Sequence, residues 1–470
     1  MSNILVIDQG THASRAILVS AHGEIIDHAE KTVSLHRISH EMIEQDAEEI
    51  LQSIHDVLAQ LDTSELNNTR NATLTTQRST MLAWHNKTCR AITPAVSWQD
   101  RRSQQELECV QQYAADIKTI TGLPLSPHYG AGKLRWLLHH NEQVKKNLQE
   151  KNLRMGPLAS FLLDNLVLNG CNKLDHSNAH RSQLFDLHTL DWSPRLLQLF
   201  DIPAEVLPRC TPMIHDYGKL RQYNIPLTCV CGDQNAALHG HGVITSGQAI
   251  INIGTGAFIL SPCDEVIIDT PLLCGIASSN DQQCQYLLEG TVNGAGAALD
   301  WAQQHHPQTD LFKHLPHWLN EVTQPPIFIN TIGGLGSPWW NSGTPPRFIH
   351  DEKSSVAERY VAMIESIVFL LQHNIDAMGE KIPLQQLQVS GGLSQLKGLC
   401  QKLADISQLP VRQSHQTEAT ALGAAWLSAG CPPNWFHKQQ LQLFSPGHNL
   451  QLQQGYKTFT EEIRRLQNSG

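Results

Sequence analysis

The chain has 470 residues, with 34 Lys and Arg against 44 Asp and Glu, and a formal net charge of −10 at pH 7. That balance, with no dense basic block, argues against a nucleic-acid phosphate track as the main partner. Hydrophobic residues at 41% and charged residues at 17% are those of a globular protein long enough for two or three domains. No apolar run is expected to reach membrane-spanning length, and the start "MSNILVIDQG" lacks the basic and long apolar regions of a signal peptide, so a cytoplasmic location is expected. The 11 cysteines are scattered without a CxxC pair. Cys229 and Cys231 sit in an apolar run and read as buried, reduced thiols. The 25 histidines show no ligand spacing, so no structural metal is expected.

The first segment, "ILVIDQGTHASRAILVS", sends an apolar run into Asp8 and a Gly10-Thr11 turn. Residues 4–7, 15–19 and 24–27 read as three short strands. Asp8 could cap a turn, hold a metal or work on a substrate proton. "EMIEQDAEEILQSIHDVLAQL" follows, with Ile43, Ala47, Ile50, Leu51, Ile54, Val57, Leu58 and Leu61 on one face of a predicted helix. Its first turns are acidic, which suits the helix dipole. Residues 72–77 read as a further strand. Strands, a helix and a strand again predict an α/β layer domain.

"AIINIGTGAFILSPCDEVIID", Ala249 to Asp269, repeats the opening. Laying Gly10-Thr11 over Gly254-Thr255 puts Asp8 over Asn252, and both copies continue to an apolar pair, Ile25-Ile26 and Ile267-Ile268. The spacing predicts an internal duplication, with domains 1–242 and 243–470 meeting at "HGHGVITSG". Downstream, 356–378 has long helical periodicity, "LQQLQVSGG" gives a strand and a glycine turn, and "SQLKGLCQKLADISQLPV" and "TEATALGAAWLSAG" predict two more helices. The last forty residues, Gln-rich and polar, are expected to be a peripheral appendage.

Four glycine turns carry potential phosphate chemistry: Gly10-Thr11, Gly254-Thr255-Gly256, Gly333-Gly334-Leu335-Gly336 and Gly391-Gly392. Glycine lets a backbone approach phosphate oxygens, and neighbouring N–H and hydroxyl groups donate to them. Neither a Walker loop nor a GxGxxG with an acidic partner is present. A second acid, Asp233, ends the apolar run of "LTCVCGDQNAALHGHG" and starts a small-residue helix, where an N-cap and a catalytic role weigh equally. "TTQRSTMLAW" and "TPAVSWQDRRS" place Arg78, Trp98, Asp100, Arg101 and Arg102 at strand ends, a mix of polar and aromatic groups suited to a sugar.

The ordered set resembles the FGGY carbohydrate kinase family, closest to its glycerol kinase-like branch. The matching motifs are Asp8-Gln9-Gly10-Thr11 with Ser14-Arg15, Gln77-Arg78 with Trp84, Trp98-Gln99-Asp100-Arg101-Arg102, Lys133-x-x-Trp136, Gly232-Asp233-Gln234, Gly254-Thr255-Gly256, Glu289-Gly290, Gly294-Ala295-Gly296, Gly391-Gly392 and Glu418 to Ala425. The resemblance implies two actin-like, ribonuclease-H-like α/β domains around a cleft, with ATP and Mg²⁺ mainly on the second and a sugar or polyol on the first. It implies Asp233 as the catalytic base, and Asp8 with Asp233 facing the metal. Arg78, Ser79, Trp98, His128, Asp233 and Gln234 are the implied acceptor site. Thr11, His12, Ser14, Arg15, Gly254, Thr255, Gly294, Gly391 and Gly392 are the implied nucleotide contacts.

Departures from the pattern bear on the acceptor. Where glycerol kinases carry the glutamate of an Arg-Glu pair, this chain has Ser79; where they carry a tyrosine, it has His128. A serine cannot make a carboxylate's two strong hydrogen bonds and leaves room for a larger molecule, which argues against glycerol. His12 replaces a threonine, and Asn341, Leu396 and "SGTPPRF" depart from the family's second half. The sequence therefore predicts an ATP-dependent kinase acting on a hydroxyl of a small sugar or polyol. The alternatives are glycerol kinase proper, a catalytically weak sugar- or ATP-binding regulator on the same fold, and an actin-like ATPase. No nucleic acid or membrane partner is expected, and a homo-oligomer is allowed.

Overall fold

The structure, a computed structural model, describes residues 2–242, 244–341, 344–416, 418–436 and 441–468. Two mixed sheets organise it. In the first, β1 (Asn3–Gln9), β2 (Ala13–Val19), β3 (Ile25–Thr32), β4 (Thr69–Thr76) and β5 (Leu227–Gly232) lie in the order β5-β4-β1-β2-β3. β1, β2 and β3 are antiparallel neighbours, while β4 and β5 run parallel to β1. β1 is buried throughout, as its unbroken apolar run requires. In the second sheet, β6 (Gln248–Ile253), β7 (Ala257–Cys263), β8 (Leu273–Ser279), β9 (Cys284–Val292), β10 (Gln386–Ser390), β11 (Val411–Ser414) and β12 (Leu441–Phe444) lie in the order β8-β9-β7-β6-β10-β11-β12.

The two sheets share one plan. β9-β7-β6-β10-β11 repeats the order and directions of β3-β2-β1-β4-β5, with β6 antiparallel to β7 and parallel to β10. Register confirms the repeat residue by residue. Asp8 lies opposite Thr75 and Asn252 opposite Ser390, each at the carboxyl end of its strand. One predicted correspondence fails. Ile267 and Ile268 lie in a loop, and the strand equivalent to β3 is β9, reached only after the inserted β8.

Helix α1 (Ala47–Leu58) covers the first sheet. It begins four residues later than the apolar pattern suggests, because Asp46 accepts from the backbone N–H groups of Glu48 and Glu49 and caps it. Ile43–Gln45 is instead a strand of a smaller five-stranded sheet with His36–Arg37, Ala95–Val96, Met81–His85 and Leu153–Pro157. That sheet packs with Leu107, Leu134 and Phe200 into a second core, which carries the wall of the cleft. Helix α2 (Asp233–His239) follows β5, and α3 (Gly296–His305) follows β9.

Helix α4 (Val356–Gly379) is long and apolar enough to cross a membrane, unlike the sequence expectation, yet 89% of its most apolar window is buried inside the protein. It is a core helix. Helix α5 (Lys397–Ser407) leads to β11. Helix α6 (Ala419–Ser428) crosses back and packs on α2, β1 and β4 of the first sheet. At that crossing a side chain on Gly423 would collide with the Ala236 carbonyl, and one on Gly240 with that of Ala419, so the two backbones touch. Trp435 donates to the Ala21 carbonyl at 2.9 Å. Helix α6 and the segment to Phe436 thus pack on the first sheet although they follow residue 243 in the chain; Val243 itself, like Ser342 and Gly343, lies outside the described residues. Helix α7 (Leu450–Asn468) buries Leu452, Phe459 and Ile463, so the chain's end is no mere appendage. All cysteines are free thiols, and Cys229 and Cys231 are buried.

Candidate active site

The carboxyl ends of the two sheets face one cleft, and the polar residues of the repeat collect there. Asp8 is 5% exposed. Its Oδ1 accepts from Thr75 Oγ1 at 2.6 Å, and its Oδ2 accepts from Arg15 Nη2 at 2.6 Å and Nε at 3.2 Å. Arg15 reaches on to Glu418 at 2.7 Å. Burial alone would weaken the Arg15 proton affinity, but Asp8 and Glu418 outweigh it and raise the pKa. Arg15 is thus engaged by two carboxylates rather than free for a phosphate. The neighbouring predicted contact, Ser14, is buried and accepts from Ser53 Oγ of α1 at 2.7 Å. Strand alternation sends residues 14 and 15 to opposite faces, which turns Ser14 into the core and away from the cleft. His12 is exposed in the turn, and its carbonyl accepts from Val33 at 2.9 Å.

Asp233 is the first residue of α2, not its N-cap; Gly232 occupies that place. Its Oδ1 accepts from the Gln234 backbone N–H at 2.7 Å and faces Arg78 Nε at 3.7 Å. Its side chain is 30% exposed to the cleft. Desolvation pushes the carboxyl above its ordinary pKa, and Arg78 offsets that only in part. A Cβ at Gly232 would meet Arg78 Cγ and Cδ at 2.6 Å, so the glycine is what lets Arg78 cross beneath α2.

The acceptor wall assembles around Arg78. Ser79 is buried in the left-handed region at φ 62°, and its hydroxyl donates to the Arg181 carbonyl at 3.3 Å. Trp98 Nε1 donates to Thr11 Oγ1 at 2.9 Å, which ties Thr11 to this wall. The His128 ring meets Trp98 edge-on, with centroids 5.8 Å apart. Burial, then Lys133 and Arg101, hold the His128 pKa well below its usual value, so the ring is neutral. Gln234 lies at the same helix start as Asp233.

Two groups here lie in matched motifs but had no role assigned from the sequence. Lys133 is fully buried and donates to the Ser79 and His128 carbonyls at 2.9 and 2.8 Å, pinning both halves of the wall. Glu289 of β9 pairs with Arg181 and stands 3.5 Å from Arg78 Nη1. Lys133 and Glu289 belong to noticed motifs, but only the fold assigns them neighbours; Arg181 belongs to none.

On the second sheet a cavity of about 330 Å³ is lined by Gly254, Thr255, Gly296, Leu299, Asp300, Gln303, Leu311, Phe312, Gly392 and Leu393. A Cβ at Gly392 would meet open space and one at Gly254 only the Gly256 carbonyl oxygen at 3.9 Å, so a side chain at either would project into the cavity. Ser390 Oγ, across from Asn252, is buried with no hydrogen-bond partner among the described residues. Gly391 and Gly294 are not among the residues lining this cavity. Gly391, at φ 92°, would drive a Cβ to 2.6 Å from the Ile253 carbonyl, so it serves strand packing. Gly294 is held by Asn330 Nδ2 on its carbonyl at 2.7 Å, and the wall residue is Gly296, two positions on. A clear glycine floor and an unpartnered hydroxyl fit a polyphosphate nucleotide. Among the described residues no group of three or more His, Cys, Asp or Glu could hold a metal. Two carboxylates with a nucleotide's own phosphates do fit Mg²⁺, which takes few protein ligands.

Duplicated sheets, a glycine-floored cavity on one and an aspartate-arginine pocket on the other define a two-lobed phosphotransferase. Residues 3–240 match the N-terminal domain of the FGGY family of carbohydrate kinases, and residues 249–430 its C-terminal domain. The glycerol kinase of Trichodesmium erythraeum is 32% identical over 99% of this chain and 98% of its own length; that of Staphylococcus epidermidis is 30% identical over 98% and 95%. Among solved structures, Plasmodium falciparum glycerol kinase with ADP aligns over 100% of this chain and 98% of that one, at a TM-score of 0.91 and 23% identity. A ligand-bound xylulose kinase from Lactobacillus acidophilus aligns over 99% and 98%, at 0.87 and 19%. The chain belongs to the FGGY family of carbohydrate kinases. It is an ATP-dependent carbohydrate kinase with two actin-like domains, and its substrate is a sugar or polyol.

Proposed function

We propose that this kinase phosphorylates a small sugar or polyol other than glycerol, with Asp233 as general base and Mg-ATP in the cleft between lobes 1–242 and 243–470. The observation that carries the assignment is Asp233 itself: part-exposed at the end of β5, raised in pKa by desolvation, and hydrogen-bonded among the described residues through Oδ1, which leaves Oδ2 for an acceptor. The acceptor oxygen attacks the terminal phosphorus of ATP, its proton passes to Asp233, and the bond to the ADP oxygen breaks. Arg78 orients the acceptor's other hydroxyls, and Trp98 with neutral His128 covers its carbon chain. Gly254, Thr255 and Gly392 would hold the phosphates. Asp8, fixed by Thr75 and Arg15, would face Mg²⁺, which neutralises the phosphates when bound.

The acceptor argument rests on Ser79. Its hydroxyl is spent on the Arg181 carbonyl, and no carboxylate stands at that position. Glycerol itself is the second reading, favoured by the names of the curated relatives. ADP release across a panel of polyols, ketoses and sugar acids decides between them: the preferred acceptor should exceed glycerol in kcat/KM, and glycerol as best acceptor would overturn the reading. We infer a cytoplasmic location, since ATP is its phosphoryl donor.

A further inference from the structure

One face of α3 forms a wall of the cavity on the second sheet. Gly296, Leu299, Asp300 and Gln303 stand at i, i+3, i+4 and i+7, and all four line it. The wall is ordered along the helix axis. Gly296 packs on the glycine turn, its N–H donating to the Gly254 carbonyl at 2.9 Å. Asp300 lies one turn further on, about 6 Å along the axis. Gln303 lies a second turn away, and Phe312, of the next helix Leu311–Glu321, borders the same cavity.

The side chains of this wall differ in what remains free. Gln303 is spent, because its Nε2 donates to the Gln308 carbonyl at 3.0 Å and its Oε1 accepts from the Gln308 N–H at 2.8 Å. Asp300 is exposed, lines the cavity, and makes no hydrogen bond or ion pair among the described residues. Phe312 is 61% exposed, whereas Leu299 and Leu393 on the same cavity are buried.

We propose that Asp300 reads the ribose of the nucleotide, its carboxylate accepting from the vicinal 2′ and 3′ hydroxyls, while Phe312 covers the base and no side chain of this wall reads the base edge. A carboxylate offers two acceptor oxygens and no donor, which matches a diol and gives charge-assisted bonds. Its place one helical turn beyond the glycine turn puts it where the sugar follows phosphates held at Gly254 and Thr255. An aromatic face stacks on any base. The donor site is thereby selective for the sugar and tolerant of the base.

The inference rests on the kinase reading, and calorimetric binding of nucleoside diphosphates with Mg²⁺ tests it without turnover. The wild type should bind ADP about tenfold more tightly than 2′-deoxy-ADP, the worth of one charge-assisted hydrogen bond, with no comparable preference for ADP over GDP. Removing the carboxylate also removes its repulsion of the phosphates, so ratios rather than absolute affinities are the readout. Asp300→Ala should equalise ADP and 2′-deoxy-ADP and leave ADP against GDP unchanged. Phe312→Ala should weaken all three by about tenfold and keep the sugar preference. A merely structural role for Asp300 would move all three affinities together. An unchanged sugar preference in Asp300→Ala, or a wild type that binds both sugars equally, overturns the inference. So does an Asp300→Ala effect confined to ADP against GDP, which would place the carboxylate on the base. Should Asp300→Ala fail to fold, Asp300→Asn decides: it loses the charge, so the sugar preference should fall, and an unaltered preference overturns. All these outcomes leave the kinase reading standing, whereas a wild type that binds no nucleotide overturns that reading first and this inference with it.

Discussion

Asp8 and Asp233 are two aspartates at strand ends whose surroundings separate them. Asp8 is tied at both oxygens, by Thr75 and Arg15, whereas Asp233 is tied at one and pushed up in pKa by burial. A carboxyl with a raised folded pKa is destabilising in its ionised form. That cost is absent below the unfolded carboxyl pKa near 4 and is felt as pH rises through the higher folded value. Asp233→Asn should therefore raise the melting temperature at pH 7 by about 1–2 °C, and the gain should vanish in melts taken below about pH 4. Ser79→Glu would restore two charge-assisted hydrogen bonds for glycerol and should improve glycerol kcat/KM by about tenfold; steady-state kinetics showing no gain would remove Ser79 as the specificity determinant. The sequence announced both aspartates and Ser79. It could not announce the Arg181–Glu289 pair, whose members are 108 residues apart and meet only through folding.

At the scale of elements, the turn after β10 holds two adjacent glycines with different duties. Gly391 sits at φ 92° against the Ile253 backbone, while Gly392 opens on the cavity. Gly391→Ala should destabilise the protein by more than about 1 kcal/mol in denaturant unfolding, because both the backbone and the space forbid a side chain. Gly392→Ala should fold normally and raise KM for ATP. The loop pinned by Lys133 behaves similarly. Lys133→Met leaves the Ser79 and His128 carbonyls without a donor, at a cost of about 1–3 kcal/mol each in the folded state, and should raise KM for the acceptor. Strands with unbroken apolar runs, such as β1 and β6, were legible because burial on both faces demands that pattern. The start of α1 was not, since Ile43 continues the helical period while belonging to a strand; only the Asp46 cap marks the true boundary.

At the scale of the whole molecule, the duplication was readable from Gly10-Thr11 and Gly254-Thr255, and strand register places Asp8 and Asn252 in equivalent positions. The false match at Ile267-Ile268 arose because the second copy inserts β8 before its third strand. The role of the chain's end was hidden by its glutamines. Its buried residues, Leu452, Phe459 and Ile463, are too sparse to advertise a helix that packs into the main core beside α4. Phe459 packs at 5.5 Å between ring centroids on Phe369 of α4, and Phe459→Ala should cost about 3–5 kcal/mol of stability in thermal or urea unfolding, with the cleft's chemistry unchanged in the protein that stays folded. The central claim is that two similar lobes bring a nucleotide to one aspartate. The measurement that tests it most directly is ADP formation by Asp233→Asn beside the wild type with the best acceptor, paired with calorimetric binding of that acceptor. The account predicts turnover lost by about a thousandfold or more with acceptor binding largely kept; near-normal turnover by the variant would contradict it.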